Sequence, residues 1–458
     1  DDPTVRAVAS DVPLDALAVP RFDLDDTAAI ADFILAETGL TPGLAAPSTG
    51  DACYVPNKGK ELATVAETQA MLRATFTPIT NVERIDVANA DGRVLAAAAT
   101  ALRNNPPGAN SAMDGYGFAH ASLAHGLTLA LDPDRAAAGS PLGRKVAPVH
   151  AVRVLTGALL PEGVDTVAMQ EHVTIDGDRI TLPAGLGRGA NTRAAGEDVA
   201  AGALALRAGT VLGPGEIGLL TALGVAQVSV RRRLRVGVLS TGDELAAPGS
   251  TMDPARTYDA NRPMLLAMIR RWGHDAHDLG LVPDTRAALR SALNSAQVDV
   301  LLTSGGASAG DADHVSALLG DEGQIAQWRV ALKPGKPLVL GQWGAMPVFG
   351  LPGNPVSAFV TALLFARPAL ALLAGETWPE AVGVEVPAGF SLHKRAGRRE
   401  FLRAKLDTAG RAVVFRSDSS GMISSLAWAT GFVELGEEAC DIAPGDPVRF
   451  VPFGAFGL

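Results

Sequence analysis

The sequence predicts a multi-domain protein of mixed α/β and β architecture, on three observations. Its 458 residues exceed what one hydrophobic core serves, so roughly two to four domains are expected. Three apolar runs, in 234–245 (LRVGVLSTGDEL), 299–313 (DVLLTSGGASAGDAD) and 346–358 (MPVFGLPGNPVSA), each stop at a Gly-rich or Gly/Pro-rich turn before a helix-like pattern. Short Val/Ile/Leu runs separated by turns fill 118–183 and recur after Gly375, the pattern of small β-domains.

Composition excludes several classes. Hydrophobic residues at 47% and charged residues at 19%, with 50 Gly and 30 Pro, describe a globular chain rich in turns. A formal net charge of −10 argues against nucleic-acid binding, which leans on a basic surface. The longest apolar run, 356–366, stops at Arg367 and Pro368, short of the ~20 residues that span a bilayer, so no membrane segment is expected. Asp1 and Asp2 open the sequence without the basic-then-apolar layout of a secretory signal. Cys53 and Cys440 stand far apart with no metal-type spacing, so a reduced, cytoplasmic setting without zinc is expected.

In chain order, residues 1–60 are acidic and irregular, with one short helix expected around Ile30, Phe33 and Ile34 and a linker at 41–50. Val65, Leu72 and Phe76 share a helical stripe, and a second helical piece is expected over 94–102. The segment 104–117 (NNPPGANSAMDGYG) is too rich in turn formers for regular structure. Pro214, Glu216 and Gly224 mark the first turn and the stop of a further helix. After the candidate cap Asn261, Met264, Leu265, Met268, Ile269 and Trp272 share one face of the crossover helix of a βαβ unit.

Several residues are candidates on their own chemistry. Asp243 and Glu244 follow Gly242 at a strand end, where they either face a cleft or cap the next helix. Asp313 precedes a helical pattern, where it holds a hard cation, caps the helix or does both, and Asp284, before TRAALRSAL, is a candidate acid with an equally good capping role. Asp114 sits in an Asp-Gly turn. The turn from Ser304 through Gly305, Gly306 and Ser308 supplies backbone N–H donors suited to a phosphate. In KPGKP, Lys333 and Lys336 share one stiffened turn, which is either an oxyanion site or a solvated basic loop. Pro352 and Pro355 frame a rigid turn, with Ser357 in the first turn of the helix that follows.

Eight stretches in order, NSAMDGYGF, TGALLPEGVDTVAMQE, GEDVAAGALALRAGT, LSTGDEL, YDANRP, TSGGASAGDADH, LKPGKP and GLPGNPVSA, together resemble the bacterial molybdopterin molybdenumtransferases of the MoeA type, related to the E domains of gephyrin and of its plant counterpart. The resemblance runs from Glu61 to the C-terminus. It implies a helical linking module from 61–103 plus 198–233, an inserted β-domain at 104–197, an α/β pterin-binding domain with a mixed, mostly parallel sheet at 234–376, and a β-barrel at 377–458. Residues 1–60 stay unassigned.

The resemblance further implies a Mg²⁺-dependent enzyme that places molybdenum from molybdate on adenylylated molybdopterin and releases AMP. Its homodimer would build each active site from both subunits. Glu244, Asp243, Asp114, Asp313 and Asp284 become the catalytic acids, with Asp313, Glu244 and Asp243 as candidate Mg²⁺ ligands. Thr156, Arg193 and Asp198 join Asp114 on the inserted-domain side, and Lys336, Ser357, Arg403 and Ser420 match the molybdate residues. Arg329 stands where lysine is usual, a planar fork in place of a point charge. Implied partners are the molybdopterin adenylyltransferase upstream and a molybdoenzyme or cofactor-delivery protein downstream. The same fold also admits a non-catalytic scaffold or an adenylyltransferase, because fold alone does not fix function.

Overall fold

The computed structural model describes residues 62–250, 253–305 and 314–458, all of them in one compact unit, Tyr54–Leu458. The helix expected at Ile30 to Ile34, Cys53, and the candidates Gly306, Ser308 and Asp313 lie outside the described residues.

The three apolar runs form strands of one six-stranded sheet. Its order is Asp275–Val282, Arg235–Thr241, Val300–Ser304, Met346–Leu351, Pro337–Trp343 and Gln324–Arg329. The first four are mutually parallel, and Pro337–Trp343 runs antiparallel to both of its neighbours. Strands buried on both faces need continuous apolar sequence, and alternate residues here serve two cores. Val236, Val238, Leu302 and Phe349 pack with Leu265 and Ile269 on one side, while Leu239, Leu301 and Val348 pack with Leu289, Leu293 and Leu318 on the other. The helix Asn261–Arg271 carries the chain between two parallel strands, as expected for a βαβ unit.

The apolar run at 356–366 proves to be part of a longer element. Pro355–Thr361, a π-helical turn at Ala362–Ala366 and Arg367–Ala374 join end to end. Pro368 lies just after the π-helical turn, the kind of local irregularity by which a continuous helix accommodates a proline. The resulting 20-residue helix is long and apolar enough to cross a membrane, but 89% of its span is buried inside the protein, as in a core helix. The expectation that length alone rules out a span is therefore corrected.

The first described helix, Val65–Thr75, is set by a capping box between Thr64 and Glu67. Residues 94–102 do not form the expected helix. Val94 and Leu95 bridge Val211 and Val230, and Ala99–Thr100 pairs with Leu204–Leu206. An Ala-rich run has helix propensity, but pairing with a distant segment overrides it. Val82–Asp86 likewise pairs with Gln227–Arg231, and Val87, Leu95, Leu212, Leu220 and Val230 share the core beneath.

Between these paired segments the chain builds a second six-stranded sheet, in the order Thr166–Met169, Gly115–Phe118, His150–Val154, Thr128–Ala136, Arg179–Thr181, Thr174–Asp176. A third sheet runs Leu332–Lys333, Arg399–Leu406, Gly431–Leu435, Pro447–Pro452, Val384–Pro387. Its last strand is followed by a bridge from Ala388 to Ala412, and Ala412–Val414 pairs with Arg399–Leu406. The strand path thus returns on itself. The chain is a multi-domain fold of mixed sheets.

Candidate functional site

Three strand ends meet at one edge of the central sheet. Ser240 pairs with Ser304, and Ser304 with Leu351, at the carboxyl ends of three parallel strands. After Arg235–Thr241 the chain passes to one side of that strand, and Val300–Ser304 lies on the other. Such a reversal opens the crevice in which α/β sheets bind ligands. Gly305 is required there. Its φ is +88°, and a Cβ would lie 2.5 Å from the Thr241 carbonyl oxygen, so a larger residue would push the strand ends apart.

Asp243 and Glu244 stand exposed at this edge. Neither caps a helix, because the chain continues into Leu245–Ala246, paired with Thr257–Tyr258. Gly242 has φ +147°, and a Cβ on it would approach Glu244 Oε2 to 2.6 Å. Glycine therefore lets the Glu244 carboxylate fold back over the strand end. Asp284 also escapes the capping role: Thr285 caps the helix Arg286–Ser295, and Asp284 accepts a 3.1 Å hydrogen bond from Thr241 Oγ1. It thereby joins the same strand end as Asp243 and Glu244.

Under the edge lies a buried polar network from the YDANRP segment, whose members were absent from the predicted site. Asp259, 2% exposed, accepts from Ser240 Oγ at 3.1 Å and from Arg262 Nε at 2.9 Å. Arg262 also bridges to Asp278. Asn261 is not the expected cap. The residue before the helix is Ala260, and Asn261 Nδ2 instead donates to Ser304 Oγ at 2.9 Å and to the Gly353 carbonyl at 2.7 Å. Among the described residues no group of three or more His, Cys, Asp or Glu is placed to hold a metal ion.

A cavity of about 690 Å³ opens beside the edge. It brings together Gly305, Lys333, Lys336, Pro352, Ser357 and Ser420 from the predicted set, and adds Arg398 and Asp418. The parallel pairing of Leu332–Lys333 with Arg399–Glu400 explains how residues so far apart in sequence share a wall. Lys333 Nζ lies 2.9 Å from Asp418 and 3.3 Å from Glu400. Burial disfavours the ammonium, but the two carboxylates outweigh it and raise the Lys333 pKa. Lys333 in turn holds the Asp418 carboxyl below its ordinary value.

Two candidates sit differently. Arg403 does not line the cavity. Its guanidinium is buried and donates to the carbonyls of Ser417 at 2.6 Å and Ser419 at 3.2 Å and to Ser425 Oγ at 3.1 Å, fixing the loop that carries Asp418. Pro355 begins the helix that presents Ser357. Arg329 is exposed on the strand Gln324–Arg329, paired with Pro337 of the cavity wall but not itself one of the lining residues.

On the second sheet, Asp114 Oδ1 accepts from the Thr156 amide at 2.7 Å and its hydroxyl at 2.6 Å. The Thr156 hydroxyl and amide hold the Asp114 carboxyl below its ordinary range, with Arg153 nearby adding to the effect. Arg193 is on a short strand paired with Asn110–Ser111, and Asp198 accepts from Asn105 Nδ2 at 2.8 Å. No hydrogen bond or ion pair among the described residues joins Asp114 or Thr156 to Asp243 or Glu244 within one chain.

Comparison with known proteins matches this arrangement segment by segment. Residues 63–224 fit the MoeA N-terminal region (domain I and II), 237–372 the probable molybdopterin binding domain, and 385–453 the MoeA C-terminal region (domain IV). The molybdopterin molybdenumtransferase of Haemophilus influenzae is 36% identical over 382 residues, 82% of this chain and 94% of that protein. Molybdopterin molybdenumtransferase 2 of Mycobacterium tuberculosis is 34% identical over 403 residues, 84% of this chain and 96% of its own. The crystal structure of the molybdopterin biosynthesis MoeA protein of Pyrococcus horikoshii superposes with a TM-score of 0.73 at 27% identity, covering 86% of this chain and 100% of that one. With three matched regions in order and relatives aligned over nearly their whole length, the chain belongs to the MoeA family of molybdopterin molybdenumtransferases.

Proposed function

We propose that this protein inserts molybdenum from molybdate into adenylylated molybdopterin, hydrolysing the pyrophosphate link and releasing AMP. The observation that carries the reading is the cavity that joins the carboxyl edge of the parallel strands, at Gly305 and Pro352–Asn354, to Lys333, Lys336, Arg398, Ser357 and Ser420. An extended ligand with a phosphate at one end needs such an edge. A tetrahedral oxyanion at the other needs fixed cations and hydroxyls.

In this reading the α/β segment, 234–376, binds the pterin. The segments 61–103 with 198–233, 104–197 and 377–458 are the linking, inserted and barrel domains. Glu244 accepts the proton of the attacking water, and Asp243 and Asp284 set the charge around it. Lys336, Ser357 and Ser420 hold molybdate, and Arg403 positions the loop from which Ser420 comes. Asp243 and Glu244 are exposed and offer oxygen donors without His or Cys, a set that fits Mg²⁺, which takes one or two carboxylates and fills its shell with water and phosphate. The ion, when bound, would neutralise charge building on the leaving phosphate.

A homodimer completes the site. Asp114, oriented by Thr156, serves the partner's crevice, with Arg193 and Asp198 on the same side. An adenylyltransferase must supply the substrate, and an apoenzyme or carrier must take the product. The free thiol of Cys440 agrees with a reduced, cytoplasmic setting. A crystal soaked with adenylylated molybdopterin and molybdate tests the reading. It predicts the pyrophosphate at the 242–244 and 352–354 turns and molybdate beside Lys336 and Ser357. A ligand bound elsewhere contradicts it.

A further inference from the structure

Asp418 is the one acidic side chain among the described residues that line the cavity, facing Lys333, Lys336 and Arg398. Its carboxylate is 2.9 Å from Lys333 Nζ, where an oxyanion reaching Lys333 would put its own oxygen. Lys333 is already served from behind by Glu400, whose side chain is 13% exposed, whereas that of Asp418 is 66% exposed. One carboxylate is therefore fixed and the other is able to swing into water. The backbone beneath Asp418 does not depend on the ion pair. Arg403 holds the carbonyls of Ser417 and Ser419, and the Ser420 carbonyl accepts from Val356 N at 3.1 Å. Releasing the side chain leaves the loop in place.

We infer that Asp418 is a built-in counter-ion, occupying Lys333 until an incoming oxyanion displaces it, and so setting the affinity of the cavity for that anion. The inference rests on reading this cavity as the oxyanion site. An exposed ion pair is a modest competitor, and a neutral side chain of the same shape removes both the competition and the like-charge repulsion of the anion.

The test is calorimetric titration of the full-length protein with molybdate alone at fixed ionic strength, for the wild type, Asp418→Asn, Asp418→Glu and Lys336→Ala. Asp418→Asn should tighten binding about 2- to 5-fold, with Asp418→Glu close to the wild type. In a Lys333→Met background the same Asn substitution should lose most of that gain. Unchanged or weaker binding by Asp418→Asn overturns the inference, as does an equal gain without Lys333. Lys336→Ala separates the two levels. If it weakens binding while Asp418→Asn does not tighten it, only the counter-ion falls. If the wild type does not bind molybdate at all, the oxyanion reading of the cavity falls and the counter-ion with it.

Discussion

Asn261 donates its side-chain amide to both Ser304 Oγ and the Gly353 carbonyl, tying the end of one parallel strand to the turn that follows another. The clamp spans 43 residues on one side and 92 on the other, so it is a product of the fold and not of local sequence. Asn261→Leu would leave the buried Ser304 hydroxyl without its donor, at a cost of about 1–3 kcal/mol, while the Gly353 carbonyl, on an exposed residue, can turn to water. Chemical denaturation should show that loss, with a larger fall in turnover than the fold alone explains.

Thr156 lowers the Asp114 pKa, and this carries a pH signature. Because Asp114 has a lowered pKa, its carboxylate persists further into acid than an ordinary one. Thr156→Ala removes the hydroxyl donor, so the pKa rises and the acid limb of the pH–rate profile should move to higher pH. An unmoved limb would separate Asp114 from the reaction.

The two acid clusters can be tested for a shared site. Asp114→Asn and Glu244→Gln should each be inactive as a homodimer. In random heterodimers one of the two sites carries both wild-type acids, so mixing should restore about a quarter of the activity. A mixture as inactive as its parents argues that both acids serve one chain.

Asp299 secures the opposite, amino end of the sheet. It accepts from the Arg235 amide at 2.8 Å and from the guanidinium groups of Arg235 at 2.8 Å and Arg232 at 3.0 Å. Burial disfavours the charge, but these donors outweigh it and lower the pKa. A carboxylate with a depressed folded pKa stabilises the protein above its unfolded pKa near ~4, and that stability is lost as pH falls through the folded value. Asp299→Asn should therefore cost about 1–3 kcal/mol at neutral pH and progressively less in acid. A pH-independent difference would contradict this account.

Much of this was legible beforehand because its signals are local. An apolar run closed by Gly242, Gly305 or Pro352 announces a buried strand and its turn, Ser357 lies close to the last of these in sequence, and Lys333 and Lys336 share the separate KPGKP turn. The missed residues depend on pairing across the fold. Asp418 and Arg398 share a cavity wall with Lys333 because Leu332–Lys333 adds to the sheet of Arg399–Leu406. Asn261 looked like a cap because asparagine before an apolar helical pattern usually is one. Its partners, Ser304 and Gly353, come from other strands. The YDANRP segment was the available signal, since an acid, an amide and a cation packed together at a helix start are costly to bury unless each is partnered.

The most direct test of the central claim is AMP release from adenylylated molybdopterin, measured with and without molybdate in the presence of Mg²⁺, for the wild type and Glu244→Gln. The account predicts release by the wild type when molybdate is present. It predicts a fall of roughly 10²–10⁴-fold for Glu244→Gln, the range for losing a general base, with pterin binding retained. Wild-type levels of AMP release by Glu244→Gln, or turnover of ATP with unadenylylated pterin in place of AMP release, would contradict it.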